Sequence, residues 1–358
     1  MEVFKRFEED DIVRANPTQV STGLWSSDTG SLVAFYTSSE QTASAAGQHF
    51  WDIYNINPSS SLAEIQFSLA YGNINGGGAS VLADDDNALL ATKAVYFQYR
   101  NVLLDPGDTH FTFLPTSDGA TFNADEIFVI NIHRQRLKEK LDPGNWSLTL
   151  AYEAGGLITR SFIDDSGQTL GEQFGTSGRV FNVVSGSLTG VSGSTVVASS
   201  SVSGGFGLVY PDMGIIILNP RALFAVSASA ATVTTNPDLG SAGNQKVLLN
   251  SMIGGDPTNG APTSLTADFQ ARSAENIAST HYFVRLRNKE LNYSNNPSFF
   301  NEANGVILNS GFIQDPQVFV TTVGLYNDAN ELLAVGKLSQ PTRKSFDREL
   351  LIRVRLDF

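Results

Sequence analysis

The chain has 358 residues, 41% of them apolar and only 16% charged, with 32 glycines and a formal net charge of −13. That apolar fraction excludes a disordered polymer, and that charge excludes a general nucleic-acid coat, because phosphate binding depends on clustered Lys and Arg. The sequence contains no cysteine, which removes disulfide staples, thiolate zinc sites and cysteine nucleophiles together.

The opening, MEVFKRFEEDDIVRANP, lacks the apolar core of a secretion signal, and no apolar run nears the roughly 18 residues that span a bilayer. The expectation is a protein kept in a cytosol or carried in a particle assembled there, with no membrane partner. In SAAGQHFWDIYNI, the residues Phe50, Trp51, Ile53 and Tyr54 can anchor either a strand or a helical turn. AEIQFSLAYG is clearer. Its Ile65, Phe67, Leu69 and Tyr71 alternate with Glu64, Gln66, Ser68 and Ala70, which is the period of a half-buried strand, and a glycine-rich turn ends it. ALLATKAVYFQYRNVLL reads as a short helix or a strand pair, and in THFTFL Phe111 and Phe113 alternate with His110, Thr112 and Leu114. The run DEIFVINIHRQRLKEKLDPGNWSLTLAY changes period along its length. EIFVINI is a buried strand, RQRLKEKL a short charged helix or helical turn, Asp-Pro-Gly stops it, and WSLTLAY is the next strand.

From about residue 155 to 275 the composition shifts to Gly, Ser, Thr and Val. The β-branched content predicts short strands and wide loops rather than a flexible linker. Within it, FGLVYPDMGIIILNPRAL turns between Tyr210 and Gly214 into an apolar strand, Ile215 to Leu218. Beyond it HYFVRLRN, PQVFVTTVGLYN, ELLAVGKLS and RELLIRVRLDF read as strands, the middle two forming a hairpin across Asp328, Ala329 and Asn330. In the last, Leu351, Arg353, Arg355 and Asp357 alternate with Ile352, Val354, Leu356 and Phe358, which puts the terminal aromatic in a sheet. The fold class predicted is mainly β. A sandwich-like core is built from the N-terminal (1–155) and C-terminal (276–358) segments, with a β-rich Gly/Ser/Thr domain or insertion (156–275) and few short helices.

Catalytic signatures are absent from the sequence: there is no Gly-x-Ser-x-Gly elbow, no Walker-type phosphate loop and no HExxH helix. His49, His110, His133 and His281 are scattered and read as core or surface residues. The triple acid Asp84, Asp85, Asp86 and the pair Asp164, Asp165 do not follow a calcium-loop pattern and read as solvated loops. Three tryptophans, Trp25, Trp51 and Trp146, make a thin set of sugar platforms for a glycan hydrolase. No catalytic residue, cofactor or metal is therefore expected. Arg134, Arg136, Lys138 and Lys140 surround Glu139 and read as a solvated helix face. Lys337, Arg343, Lys344, Arg348, Arg353 and Arg355 make the C-terminal end locally basic on an acidic chain, and are expected to dock an acidic face of a neighbouring subunit.

The run TTVGLYNDANELLAVGKLSQP, followed by KSFDRELLIRVRLDF, resembles the ending of baseplate and other tail structural proteins of T-even-like myoviruses, including those that infect cyanobacteria. HYFVRLRNKELNYSNNPSF, EIQFSLAYGN, VYFQYRNVLL and YPDMGIIILNP are similar to cyanophage structural proteins of comparable size. The resemblance implies a non-enzymatic structural subunit of a contractile-tailed virion, most of all a baseplate wedge or neighbouring tail component assembled in the host cytoplasm. It implies that the partners are other virion proteins in a multi-copy or homo-oligomeric assembly, with no nucleic acid. A receptor-binding or fibre-attachment module, a tail-associated glycan hydrolase, and a neck or capsid decoration protein are the alternatives.

Overall fold

The computed structural model describes residues 4–32, 34–37, 50–76, 86–114, 122–153, 157–167, 173–191, 205–223, 243–254 and 267–357. The elements begin with β1 (Ile12–Gly23), β2 (Ser31–Leu32), β3 (Phe50–Tyr54), β4 (Ile65–Asn73), helix α1 (Asp86–Leu103), β5 (Phe111–Phe113), β6 (Phe122–Ala124) and β7 (Glu126–Ile132). There follow α2 (Arg134–Leu137), β8 (Lys140–Glu153), β9 (Leu157–Asp164), β10 (Gln173–Gly175), β11 (Gly178–Ser187), β12 (Gly190–Val191), β13 (Gly207–Tyr210) and β14 (Ile215–Leu218). The last are α3 (Pro220–Leu223), α4 (Gly243–Met252), β15 (Asp268–Leu286), α5 (Gly311–Gln314), β16 (Val318–Tyr326), β17 (Leu332–Lys344) and β18 (Leu350–Asp357). The protein is mainly β with few helices, as its composition and periodicity predict. It divides into a central unit, Val20–Glu275, and a terminal unit made of Met1–Gln19 with Asn276–Phe358.

In the central unit the antiparallel strands run in the order β15, β8, β9, β11, β13, β14, β7, β4, β3. Strands β11, β13 and β14, drawn from the Gly/Ser/Thr-rich stretch, lie in the middle of that order. Both faces of the middle strands are buried. Phe67, Leu69, Tyr71, Phe128, Ile130, Ile216 and Leu218 join Trp25, Trp146 and Phe269 in one core. The alternate residues Ala70, Ile127, Val129, Ile215 and Ile217 join Tyr96, Leu103, Phe111 and Phe113 in a second. That is why EIFVINI and IIIL are almost continuously apolar: a strand covered on both faces has no side for water. The same geometry corrects the half-buried reading of AEIQFSLAYG, because α1 covers its second face. The contact is close. A Cβ on Gly72 would stand 2.9 Å from the backbone N of Tyr96. Tyr96 itself locks helix to strands, its hydroxyl donating to Ala124 O at 2.6 Å and accepting from Phe111 N–H at 3.3 Å.

Asp-Pro-Gly does not stop the chain before WSLTLAY. RQRLKEKL forms only the single turn α2, and β8 already begins at Lys140 and runs through Asp142–Gly144 as a bulge. Leu141 pairs with Ser273 while Trp146 pairs with Ala271, so β8 carries the surplus residues, and Gly144 takes them up at φ +77. Asp164 fixes the bulge. Its carboxylate accepts Gly144 N–H at 2.8 Å and Trp146 Nε1–H at 2.5 Å. The solvated-loop reading of Asp164 and Asp165 is thereby overturned: Asp164 is buried, and Asp165 accepts both the backbone and side-chain amides of Asn182. Of the triple acid, Asp84 and Asp85 lie outside the described residues and Asp86 opens α1.

In the terminal unit, residues 279–286 of β15 pair with β18, from Ser279 opposite Asp357 to Leu286 opposite Leu350. Strands β16 and β17 form a separate hairpin, as expected from their sequence. Asn330 closes its turn at φ +60, and the Asn327 side-chain oxygen accepts the amides of Ala329 and Glu331. Phe358, expected to end the chain inside a sheet, lies outside the described residues.

Candidate assembly interface

The terminal unit leaves large apolar side chains in water. On the β16–β17 hairpin the pairing register sorts residues onto two faces. Val323, Leu325, Ala334 and Gly336 turn one way, and a Cβ on Gly336 would meet Val354 of β18 at 3.9 Å. Gly324 lies directly opposite Val335 and Thr322 opposite Lys337 on the other face. There Leu333 is 69% exposed and Val335 58%, and Phe319, farther along β16, is 60% exposed. The rings and methyls gather around Gly324, since a Cβ there would touch Tyr326 at 2.9 Å and Leu332 at 3.2 Å. Phe4 stacks edge-on against Tyr326 with ring centroids 4.9 Å apart. Beside it opens a cavity of about 660 Å³, walled by Phe4, Phe7, Phe283, Leu291 and Tyr326. The N-terminal segment is held there by Lys5, whose ammonium donates to Glu290 Oε2 at 2.6 Å and Arg285 O at 2.5 Å. That contact holds the Glu290 carboxyl below its usual range.

The basic residues predicted to dock a neighbour are divided by the structure. Arg353 and Arg355 project from the same exposed face of β18, opposite Phe283 and His281. Arg355 is already engaged: its guanidinium donates to Asp357 Oδ1 at 2.6 Å and Ser279 Oγ at 3.2 Å, and the Ser279 hydroxyl, donating to Asp357 at 2.7 Å, with that guanidinium holds the Asp357 carboxyl low. The Arg353 guanidinium has no hydrogen-bond or ion-pair partner among the described residues. Arg348 is exposed in the turn between β17 and β18. Lys344 is fully buried and turned inward, donating to Asn288 O at 3.0 Å and Asn292 Oδ1 at 2.8 Å, and its burial lowers the ammonium below the usual lysine range. Arg343 is half-buried, with its Nε shielded and without a hydrogen-bond partner. Ser345 donates to the Asp347 carboxylate, holding that acid low. The outward cations are thus Arg348 and Arg353, with Lys337 on the apolar face of the hairpin.

Charge is segregated along the chain. Acids and bases nearly cancel in the terminal unit, and almost all of the −13 falls in the central unit. Among the described residues no group of three or more His, Asp or Glu side chains is arranged to hold a metal ion. All three tryptophans are core residues. No family model, curated protein or solved structure matches the chain. The exposed face is not legible in the sequence because LLAVGK carries apolar side chains at successive positions. Leu333 and Val335 alternate with Ala334 and Gly336, and in a single hairpin only the smaller set finds cover.

Proposed function

We propose that this chain is a structural subunit of a contractile-tailed phage virion, a baseplate wedge or neighbouring tail component, acting by holding other subunits in fixed geometry. The observation that carries the reading is the apolar outer face of the β16–β17 hairpin, where Tyr326, Leu333 and Val335 stand in water beside Lys337. Contiguous apolar surface rimmed by polar residues marks a protein contact, and burying it supplies the association energy. Arg348, exposed in the β17–β18 turn, and Arg353, on the side of β18 turned away from Val354 and the hairpin, are further contact points for acidic groups of a partner. The resemblance of residues 321–358 to tail proteins supplies the kind of assembly. The test is to separate purified virions into heads and tails and to quantify this chain by mass spectrometry. Enrichment in tails at a copy number divisible by three or six is the expected result. Recovery in heads alone moves it to a neck or decoration role, and absence from particles refutes the proposal.

A further inference from the structure

The central unit carries a second feature that the assembly reading does not use. A cleft of about 350 Å³ lies between the end of α1, strand β5 and the β10–β11 hairpin. Its apolar floor includes Phe113, Val180 and Leu208, and Asp105 and Asp108 stand exposed at its mouth. Neither carboxylate has a side-chain hydrogen bond or ion pair among the described residues.

Two observations point to a ligand. Tyr210 lines the cleft while only 1% exposed, and its hydroxyl has no hydrogen-bond partner among the described residues. The ring is packed in the core while the hydroxyl is not sealed from solvent, so it opens into the cleft as a donor for a ligand oxygen. Burial, reinforced by the charge of Asp108, keeps it protonated. At the opposite side Phe174 is 73% exposed, the most exposed aromatic side chain among the described residues. It belongs to the three-residue strand β10, paired opposite Arg179, and Arg179 is itself anchored on Asp212 at 2.6 Å. An aromatic ring held in water on a braced hairpin serves as a platform for the apolar face of a ring-shaped ligand.

We infer that this cleft is a binding site for a neutral saccharide, with one pyranose ring stacked on Phe174, its hydroxyls donating to Asp105 and Asp108, and a ring or hydroxyl oxygen accepting from Tyr210. The size suits one sugar, since small-ligand pockets begin at about 300 Å³. The two free carboxylates favour hydroxyl donors and repel phosphate, sulfate and acidic sugars. The inference is independent of the baseplate reading.

The experiment uses the full chain with D-glucose, D-galactose and N-acetylglucosamine as separate probes, N-acetylneuraminic acid as the anionic control and cadaverine as a cationic one, read by saturation-transfer NMR and titration. At least one neutral sugar is expected to bind with Kd on the order of millimolar, the range of a single small contact. Phe174→Ala is expected to weaken it at least tenfold, and Tyr210→Phe about fivefold, the worth of one hydrogen bond. Phe174 is exposed and Tyr210→Phe keeps the buried ring, so unchanged circular dichroism separates lost binding from lost fold. No transfer to any neutral sugar, binding of cadaverine alone, or binding indifferent to both substitutions would overturn the assignment.

Discussion

Replacing Asp164 by alanine tests how the central unit holds its bulge. The Asp164 carboxylate accepts Gly144 N–H at 2.8 Å, Trp146 Nε1–H at 2.5 Å and Ser166 N–H at 3.0 Å, together with the Ser166 hydroxyl. Asp164→Ala strands these donors. Ser166 is half-buried and recovers water, whereas the Trp146 indole lies wholly inside the core. An unsatisfied buried donor costs about 1–3 kcal/mol, and Gly144 is half-buried and recovers water as Ser166 does, so the stranded indole accounts for about 2 kcal/mol. Against a total stability of about 5–15 kcal/mol this is a substantial fraction, with Tm falling by roughly 5 °C for a unit of this size. Urea denaturation followed by tryptophan fluorescence measures it, with Asp165→Ala as the neighbouring control. Asp165 is half-buried and serves only Asn182, so its loss is expected to cost about 1 kcal/mol. If Asp164→Ala stays within about 1 kcal/mol of the wild type, or if the two substitutions cost the same, the bulge is not held by this carboxylate.

Three further outcomes follow from the same geometry. Gly72→Val drives a side chain into the α1 backbone at Tyr96 and is expected to cost about 1–3 kcal/mol and to raise hydrogen exchange in α1; unchanged exchange would contradict the close packing. Burial raises the Glu126 carboxyl above its ordinary 4.5, outweighing Arg221 at 3.2 Å. The unfolded chain therefore ionises first, and native stability falls as pH rises from about 4.5 through the raised folded value. Glu126→Gln is expected to remove that part of the decline, which urea midpoints across this range would show; an identical pH profile would dismiss the burial effect. Leu333→Lys leaves stability within about 0.5 kcal/mol because the side chain is already exposed, yet is expected to block incorporation into particles, with Arg353→Glu slowing it most at low salt. Normal incorporation of Leu333→Lys would remove the hairpin face from the assembly, and normal incorporation of Arg353→Glu the basic side of β18.

The strands themselves were legible because periodicity is a local property. EIFVINI and IIIL announce burial on two sides by having no polar alternation, and the β16–β17 turn is written in Asn327 to Asn330. VYFQYRNVLL was ambiguous between helix and strand, since a short apolar run satisfies both periods until its packing partner is known. What lay across from each strand was not legible at all. AEIQFSLAYG looks half-buried until α1 settles over Gly72 and Ala70, and Asp164 looks like a solvated acid until Trp146 and Gly144 reach it from β8.

The candidate interface divides in the same way. The sequence by itself determined that the last strands are basic on an acidic chain and that Arg353 and Arg355 share one side of β18, because side-chain alternation is built into extended backbone. Only the tertiary structure decided that Lys344 points inward to Asn288 and Asn292, that Asp357 engages Arg355 while Arg353 is left outward, and that the hairpin keeps Leu333 and Val335 in water. Availability depends on which distant groups arrive to satisfy a charge or cover an apolar side chain, and chain folding, not local pattern, brings those groups together.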